Sequence, residues 1–358
     1  MSEILDWKRG QLEKTAQKRA QLKQDHPLLQ LFLELTLRCN ERCLHCGSNC
    51  GDARCPEVSS ADLERLLQKV SRDFSPLPML AITGGEPLLR KDFERIVSAA
   101  HDLGFAWGMT TNATLIDANM ARLLRRTGMG TVSVSVDGPP EVHDRIRGRA
   151  GAYDQAMRGI QAMIDEGGFK AIQITSVINH QNIGLLDQMF DLFADLDIDS
   201  WRIVAMEPIG RALTHPELLL TAQDHIRLLD FIREKREAQF PVTYGCCHYL
   251  GLAYEREVRD WFFQCHAGKT IASIMTNGDI GTCLNIPRSA QTIQGNIYRD
   301  DFTKIWNEGF QLFRGSLAEK NADCAACPHK KYCDGGSCHS WDYERNLQQV
   351  CLRGIAFS

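Results

Sequence analysis

The sequence predicts an α/β fold, a partial (β/α)6 TIM-like barrel followed by a small cysteine-rich C-terminal domain. Apolar runs of strand length alternate with helical patterns through residues 31–240, which is typical of parallel βα units. Seven of the fourteen cysteines then fall between residues 265 and 351. Because 358 residues exceed the usual size of one domain, we expect both parts in one chain.

The order of the elements follows from these patterns. Residues 1–30 carry a charged helical pattern around 12–22 that Pro27 ends, so we expect an N-terminal helical segment at 1–30, the barrel at 31–240 and the cysteine-rich domain at 241–358. The predicted strands cover residues 31–37, 79–83, 106–110, 131–136, 171–178 and 201–205. The predicted helices cover residues 59–73, 91–103, 117–126, 153–165 and 183–196.

Composition excludes several classes of function. A net charge of -4 gives no basic field for nucleic acid. No stretch approaches the roughly 20 apolar residues of a membrane span, and the N-terminus lacks an apolar secretory core, so we expect a cytoplasmic protein without a membrane partner. In a reducing compartment, fourteen cysteines favour metal or cluster ligation over disulfides.

The first predicted strand leads into three cysteines, Cys39, Cys43 and Cys46, with three and then two residues between them. Iron-sulfur clusters are ordinarily held by four thiolates, so three close ligands indicate a cluster with one iron open to a reactant. A zinc site, which normally has four ligands, and three packed thiols are the alternatives.

These three cysteines, with His45 before the last of them, resemble the radical S-adenosylmethionine (radical SAM) superfamily. The resemblance implies that the open iron of a 4Fe-4S cluster binds the amino and carboxylate groups of S-adenosylmethionine. It also implies that one-electron cleavage of the sulfonium yields a 5'-deoxyadenosyl radical. The protein would position S-adenosylmethionine and the substrate and would exclude water from the site.

The second predicted strand ends in Gly84, Gly85 and Glu86. Two glycines let the backbone approach a ligand closely, and the carboxylate is an acceptor for an ammonium group. The stretch resembles the methionine-binding glycine motif of the same superfamily, which implies that these three residues face the amino group. An ordinary turn is the alternative.

The fourth predicted strand places Ser133, Ser135 and Asp137 on one face, where we expect them to line a pocket. The segment resembles sulfatase-maturing and peptide-modifying members, which assigns Ser135 to the cofactor and Arg147 to the cofactor's carboxylate. Asp137 could instead cap the turn at Gly138, and Arg147 could be a surface charge.

Two other strand ends carry candidate contacts. Thr110, Thr111 and Asn112 suit substrate or ribose contacts or simply a turn. Residues 206–212 resemble the Pro-x-Gly-Arg-Ala stretch of the same relatives, which implies that their backbone passes the adenine.

The seven C-terminal cysteines resemble the SPASM extension, which implies two auxiliary 4Fe-4S clusters and three clusters in all. A pair of zinc sites is the alternative. By resemblance, the distal cluster is held by Cys324, Cys327, Cys333 and Cys351, and the cluster nearer the active site by Cys265, Cys283 and Cys338. No cysteine lies between Cys265 and Cys283 to complete the nearer cluster. We therefore expect Cys246 or Cys247 as its fourth ligand, or one iron that is open to substrate.

Cys50 and Cys55 follow the cluster loop directly. A thiol near a radical can donate a hydrogen atom, so both are candidate catalytic hydrogen donors. Inert packing and extra cluster ligation are the alternatives.

The resemblance implies hydrogen abstraction from a residue of a ribosomally made precursor peptide, leading to a crosslink, a thioether or epimerisation. Expected partners are that peptide, a separate leader-binding protein, since residues 1–30 are too short for a winged-helix module, and a flavodoxin- or ferredoxin-type electron donor. Alternative activities are sulfatase maturation by formylglycine formation and dehydrogenation of a small alcohol. A non-catalytic electron-transfer protein is a third alternative, which leaves the glycine motif and Ser135 unexplained.

Overall fold

The structure is a computed structural model that describes residues 2–51, 55–245 and 247–356. All six predicted strands are present and neighbouring strands pair in parallel, which confirms the predicted fold class. A seventh parallel strand pairs with the sixth beyond the boundary predicted at residue 240. The strands are β1 Gln30–Glu34, β2 Met79–Thr83, β3 Trp107–Thr111, β4 Met129–Ser135, β5 Ala171–Ile178, β6 Ser200–Ala205 and β7 Val242–Tyr244.

Helices connect these strands, and polar side chains cap several of them. Ser59 and Asp117 accept hydrogen bonds from the first-turn backbone of the helices that follow them, and Thr221 forms a capping box at the start of the helix Ala222–Glu237. The sequence patterns missed this helix and the helix Pro140–Arg147. The helices are α1 Ser2–Asp25, α2 Ser60–Asp73, α3 Phe93–Asp102, α4 Ala118–Arg126, α5 Pro140–Arg147, α6 Ala152–Glu166, α7 Leu186–Ala194 and α8 Ala222–Glu237.

The cysteine-rich segment continues the barrel sheet. Strand β8, Ile271–Ile274, pairs in parallel with β1, and β9, Asp279–Gly281, and β10, Gly295–Asn296, follow antiparallel. This pairing fixes the start of the segment beside the strand that leads to the cluster loop. The remaining elements are α9 Gly251–Tyr254, α10 Phe302–Glu308, α11 Gln311–Arg314, α12 Ala322–Ala325, α13 Lys330–Cys333, β11 Trp341–Asp342 and β12 Leu347–Gln348.

The N-terminal helix is longer than predicted and packs on the C-terminal segment. Leu12 is only 2% exposed. The Lys8 Nζ donates to the Leu252 carbonyl at 2.8 Å, and the Arg19 Nη1 donates to the Tyr332 carbonyl at 2.8 Å. The helix therefore ties the start of the chain to its end. Within the described residues, no helix has the length and apolar character needed to span a bilayer.

Candidate active site

A cavity of about 350 Å³ lies where the barrel strands end. This is the end at which parallel barrels place their chemistry. The three predicted cluster thiols line it, and none of the described cysteines forms a disulfide. The predicted residues that line the cavity are Cys39, Cys43, Cys46, Cys50, Gly84, Gly85, Thr110, Thr111, Asn112, Ser133, Ser135, Arg147, Cys247 and Cys283.

Other predicted residues lie elsewhere. Glu86 is fully buried behind the cavity, and Cys55 lies outside the wall that the described residues form. The structure therefore does not bring Cys55 to the place where a hydrogen donor is needed. Cys246 falls outside the described residues. Of the C-terminal cysteines, Cys265, Cys333 and Cys338 line a second, smaller cavity.

The cluster loop is held by the end of α5. The backbone N–H of Arg42 donates to the Arg147 carbonyl at 2.9 Å, and that of Leu44 donates to the Ile146 carbonyl at 2.9 Å. Gly148 follows with a φ of +65°, and a Cβ there would lie 3.0 Å from the Arg42 carbonyl oxygen. The helix that the sequence patterns missed therefore positions the three thiols.

The glycine motif packs against the chain that enters the cluster loop. The Gly85 N–H donates to the Thr36 carbonyl at 2.7 Å, and the Glu86 N–H donates to the Arg38 carbonyl at 2.9 Å. A Cβ on Gly84 would lie 2.3 Å from the Thr36 oxygen, and one on Gly85 would lie 2.0 Å from the Arg38 oxygen. Both glycines are thus required by this close approach, whatever ligand they also contact.

The Glu86 carboxylate is used inside the protein. It accepts hydrogen bonds from the backbone N–H of Asn112 at 2.9 Å and of Leu88 at 3.2 Å, and the Thr111 hydroxyl lies 2.9 Å from both of its oxygens. Thr111 and Asn112 themselves line the cavity, so the carboxylate lies directly beneath its wall, and its contact with an ammonium group stays a prediction. Burial raises the pKa of Glu86 to about 7 despite these donors.

This pKa predicts a pH-dependent stability. The folded-state pKa of about 7 lies above the unfolded value near 4.3, so the unfolded state loses its proton first as the pH rises. The free energy of unfolding should therefore fall by about 2 kcal/mol between about pH 5.5 and about pH 8 relative to Glu86→Gln. Anaerobic thermal unfolding of both proteins measures this difference. Parallel pH profiles would contradict the assignment.

Asp137 joins the cluster loop to the barrel. Its Oδ2 lies 2.8 Å from the His45 Nε2 and 2.7 Å from the Arg147 Nη2, and its Oδ1 accepts from the Val177 N–H at 2.8 Å. Burial alone would raise the pKa of Asp137, but the charge of Arg147 and the neighbouring His45 hold it well below its usual range. Asp137 therefore does not cap the turn at Gly138, and Arg147 is a buried cation.

Arg147 also lies close to one of the cluster thiols, and polar atoms of Arg147 and Glu41 have no hydrogen-bond partner there. Its Nη1 lies 3.6 Å from the Cys43 Sγ and 3.6 Å from the Glu41 Oε2. The Arg147 Nε and the Glu41 Oε1 are buried and have no hydrogen-bond partner among the described residues. Buried unpaired polar atoms beside three free thiols fit a site for a polar ligand and a metal cluster.

Arg211 clamps the cluster loop from the opposite side. Its backbone N–H donates to the Cys46 carbonyl at 3.0 Å, its Nη1 donates to the Cys43 carbonyl at 2.7 Å, and its Nη2 donates to the Cys50 carbonyl. Gly210 precedes it with a φ of +55°, and a Cβ there would lie 2.2 Å from the Gly47 oxygen. The Pro-x-Gly-Arg-Ala stretch thus supports the loop.

Replacing Arg211 with alanine should loosen the cluster loop. Loss of its two side-chain hydrogen bonds to carbonyls is expected to cost about 1–3 kcal/mol of unfolding free energy. Iron content and thermal unfolding under anaerobic conditions measure the effect. The iron content and stability of Arg211→Lys should lie between those of the unaltered protein and those of Arg211→Ala. Unchanged unfolding and iron retention in Arg211→Ala would contradict the clamp.

The predicted ligands of the auxiliary clusters form two groups. Burial, together with the thiols of Cys351 and Cys324, raises the pKa of Cys333 to about 12. The Cys338 N–H lies 3.5 Å from the Cys265 Sγ, and burial and Cys265 raise the pKa of the Cys338 thiol. Cys333 also lines one small cavity with Cys265 and Cys338, and the division of these thiols between a distal and a nearer cluster stays a prediction.

The two thiols outside those sets have different surroundings. The backbone N–H of Cys50 donates to the Cys46 Sγ at 3.3 Å, so Cys50 is next to a predicted cluster ligand. The Cys247 Sγ lies 3.6 Å from the His339 Nε2. Sequence reasoning did not select His339, because neither its neighbours nor its spacing distinguishes it from a structural histidine.

Comparison with known proteins gives a consistent result. Residues 33–193 match the family model described as the radical SAM superfamily, and residues 265–328 match SPASM, the iron-sulfur cluster-binding domain. The chain is 30% identical over 312 residues to the mycofactocin maturase MftC of Mycobacterium tuberculosis, covering 86% of this chain and 77% of the relative. It is 32% identical over 333 residues to the Fe-coproporphyrin III synthase of Methanosarcina barkeri, and the match covers 84% of this chain and 81% of that relative.

Solved structures share the fold. The structure of Streptococcus suis SuiB bound to S-adenosylmethionine superposes with a TM-score of 0.68 at 21% identity, covering 87% of this chain and 73% of SuiB. Native anSMEcpe with bound AdoMet and the Cp18Cys peptide superposes with a TM-score of 0.70 at 19% identity, covering 90% of this chain and 92% of anSMEcpe. The cluster loop, the glycine motif and the C-terminal cysteines are thus explained together: the chain belongs to the radical SAM superfamily and carries a C-terminal SPASM domain.

Proposed function

We propose that this radical SAM enzyme abstracts a hydrogen atom from a residue of a ribosomally made peptide and so modifies that residue. The observation that carries the proposal is the 30% identity to the mycofactocin maturase MftC over 86% of this chain. SuiB, which shares the fold, has been solved with its precursor peptide SuiA. A cavity entered at the strand ends gives a peptide side chain access to the three thiols.

Three clusters would be held by three groups of cysteines. Cys39, Cys43 and Cys46 would hold the cluster of the barrel, and the two C-terminal groups would hold the auxiliary clusters. When bound, the barrel cluster and S-adenosylmethionine supply the 5'-deoxyadenosyl radical. Ser135 and Arg147 would position S-adenosylmethionine, with Arg147 nearest its carboxylate.

The chain's own residues orient the reactants and exclude water. Asp137 keeps the Arg147 guanidinium beside Cys43, and Arg211 keeps the loop carbonyls fixed. Because Cys283 lines the same cavity as the three thiols, the nearer auxiliary site would be adjacent to the substrate. That position suits acceptance of the substrate electron or ligation of the substrate.

Cys50 is the better candidate of the two proposed hydrogen donors, since its buried thiol lines the cavity. A Cys50→Ala variant should still cleave S-adenosylmethionine but should fail to install solvent deuterium at a substrate α-carbon, if the modification is an epimerisation. A separate leader-binding protein and a flavodoxin- or ferredoxin-type donor complete the proposed system.

A peptide encoded beside this gene is the most direct substrate to test. The anaerobically reconstituted enzyme, reductant and S-adenosylmethionine should convert that peptide to a product of altered mass, and 5'-deoxyadenosine should form with it. Mass spectrometry after proteolysis locates the modified residue. Formation of 5'-deoxyadenosine without any change in the peptide would contradict the proposed substrate class while leaving the radical chemistry intact.

An iron porphyrin is the second candidate substrate. The chain is 26% identical over 321 residues to the AdoMet-dependent heme synthase of Oleidesulfovibrio alaskensis, in addition to its identity with the Fe-coproporphyrin III synthase. Iron coproporphyrin III is the named product of the second relative, so as a substrate it tests the likeness to the heme synthase alone. Incubation with it in place of the peptide separates that activity from peptide modification. Loss of mass from the porphyrin, with an unaltered peptide, would favour this second function.

A further inference from the structure

Glu207, Cys247 and His339 form a compact group on the cavity wall, and Cys247 is also a predicted candidate for the fourth ligand of the nearer auxiliary cluster. One ligand atom from each lies within 4.8 Å of the other two, and all three residues are buried. Within residues 2–51, 55–245 and 247–356, no other group of three such side chains is close enough for one ion. Thiolates of a cluster bind different iron atoms and so stand farther apart.

The distances fit the coordination of a single ion. Zinc binds cysteine sulfur at about 2.3 Å and histidine nitrogen at about 2.0–2.1 Å, which places two such atoms about 3.6 Å apart in a tetrahedron. The Cys247 Sγ and the His339 Nε2 are 3.6 Å apart. These two side chains already have the separation that one zinc ion requires.

The Glu207 carboxylate supplies the independent observation. The residue is 7% exposed, and neither of its oxygens accepts a well-directed hydrogen bond among the described residues. The His248 Nε2 lies 2.6 Å from its Oε1, as an outer partner that orients a ligating carboxylate would. The Glu207 Oε2 has no well-directed hydrogen-bond partner among the described residues, so this oxygen can bind a cation.

We propose that Glu207, Cys247 and His339 bind one Zn²⁺ ion and leave its fourth position open to the cavity. Sites with three protein ligands and one open position are typical of catalytic rather than structural zinc. The open position would take a water molecule or a donor atom of the substrate. Cys247 would then be a ligand of this ion and not the fourth ligand of the nearer auxiliary cluster.

Zinc K-edge X-ray absorption tests the site in the complete enzyme, because iron does not contribute at that edge. Anaerobic enzyme with its clusters loaded is given one equivalent of zinc sulfate and desalted. We expect about one zinc per chain, with one sulfur at about 2.3 Å and the other ligands, nitrogen or oxygen, at about 2.0–2.1 Å. Loss of zinc on desalting would overturn the proposal. Three or four sulfur ligands would also overturn it, since zinc would then occupy a cluster site.

Variants identify the ligands. Cys247→Ala and His339→Ala should each weaken zinc binding at least about tenfold and keep the full iron content. The matched control is Cys50→Ala, which removes another buried thiol of the same cavity and should retain zinc. Loss of about four irons from Cys247→Ala would identify Cys247 as a cluster ligand and refute the proposal. If an alanine variant does not fold, Glu207→Gln and the absorption spectrum of the unaltered enzyme still decide.

Discussion

Replacing Cys39, Cys43 and Cys46 together with alanine is expected to abolish formation of 5'-deoxyadenosine. The three thiols are free and line one cavity, and the loop that carries them is held by α5 and Arg211, so the variant removes ligands from a preformed site. Iron should fall from about twelve to about eight atoms per chain, because only the C-terminal groups would still bind clusters. Iron analysis and chromatography of the reduced reaction mixture measure both quantities.

The matched control for this variant is Cys50→Ala. Cys50 is buried in the same cavity and its backbone contacts the Cys46 Sγ, but it is not one of the three predicted ligands. It should keep about twelve irons and should still cleave S-adenosylmethionine. Unchanged cleavage in the triple variant would refute the assignment of the cluster.

Asp137→Asn is expected to produce the largest loss of stability, about 3–5 kcal/mol of unfolding free energy. Asp137 is fully buried, and its carboxylate faces the Arg147 guanidinium at 2.7 Å and the His45 ring at 2.8 Å. The amide removes the charge and leaves Arg147 buried without its nearest counter-charge, since the Glu41 Oε2 is 3.6 Å away. Anaerobic chemical or thermal unfolding measures the loss.

A second variant tests whether that loss comes from the uncompensated cation. Asp137→Asn combined with Arg147→Met should recover a large part of the stability, because both charges are then absent. Glu94→Gln, which breaks the exposed pair with Arg126, is the control and should change stability by less than about 1 kcal/mol. An equal loss in the Asp137→Asn single and double variants would contradict the buried pair.

The same groups make stability depend on acidity. The pKa of Asp137 is depressed in the folded protein, so its contribution is present above the unfolded value near 3.9 and is lost as the pH falls through the folded value. Glu86 acts in the opposite direction, because burial raises its pKa to about 7. The two carboxylates therefore affect different pH ranges, with Asp137 acting only in strong acid.

Local patterns were sufficient for the barrel and its cluster loop. Alternation of apolar strands and amphipathic helices identified β1–β6, because those strands are buried and their spacing is fixed by the helices between them. The spacing of Cys39, Cys43 and Cys46 is a local property of one loop. The sequence also predicted a close backbone approach at Gly84 and Gly85. In the structure, the atoms that approach these glycines belong to the backbone of Thr36 and Arg38.

Contacts between distant segments could not be predicted from local patterns. The ion pairs of Asp137 with His45 and Arg147 connect a strand end, a loop and a helix, and the patterns left Arg147 open as a surface charge. The hydrogen bond from the Asn112 N–H to the Glu86 carboxylate joins the ends of two strands, which the local pattern around Glu86 does not reveal. The pairing of β8 with β1 joins residues more than 200 positions apart, which no periodicity indicates.

Electron paramagnetic resonance of the reduced, fully iron-loaded enzyme tests the central claim most directly. If a cluster at Cys39, Cys43 and Cys46 has one iron open to S-adenosylmethionine, adding that compound should change the spectrum of the cluster. The triple cysteine variant, with its auxiliary clusters intact, should give no such change. A spectrum of the unaltered enzyme that is identical with and without S-adenosylmethionine would contradict the account.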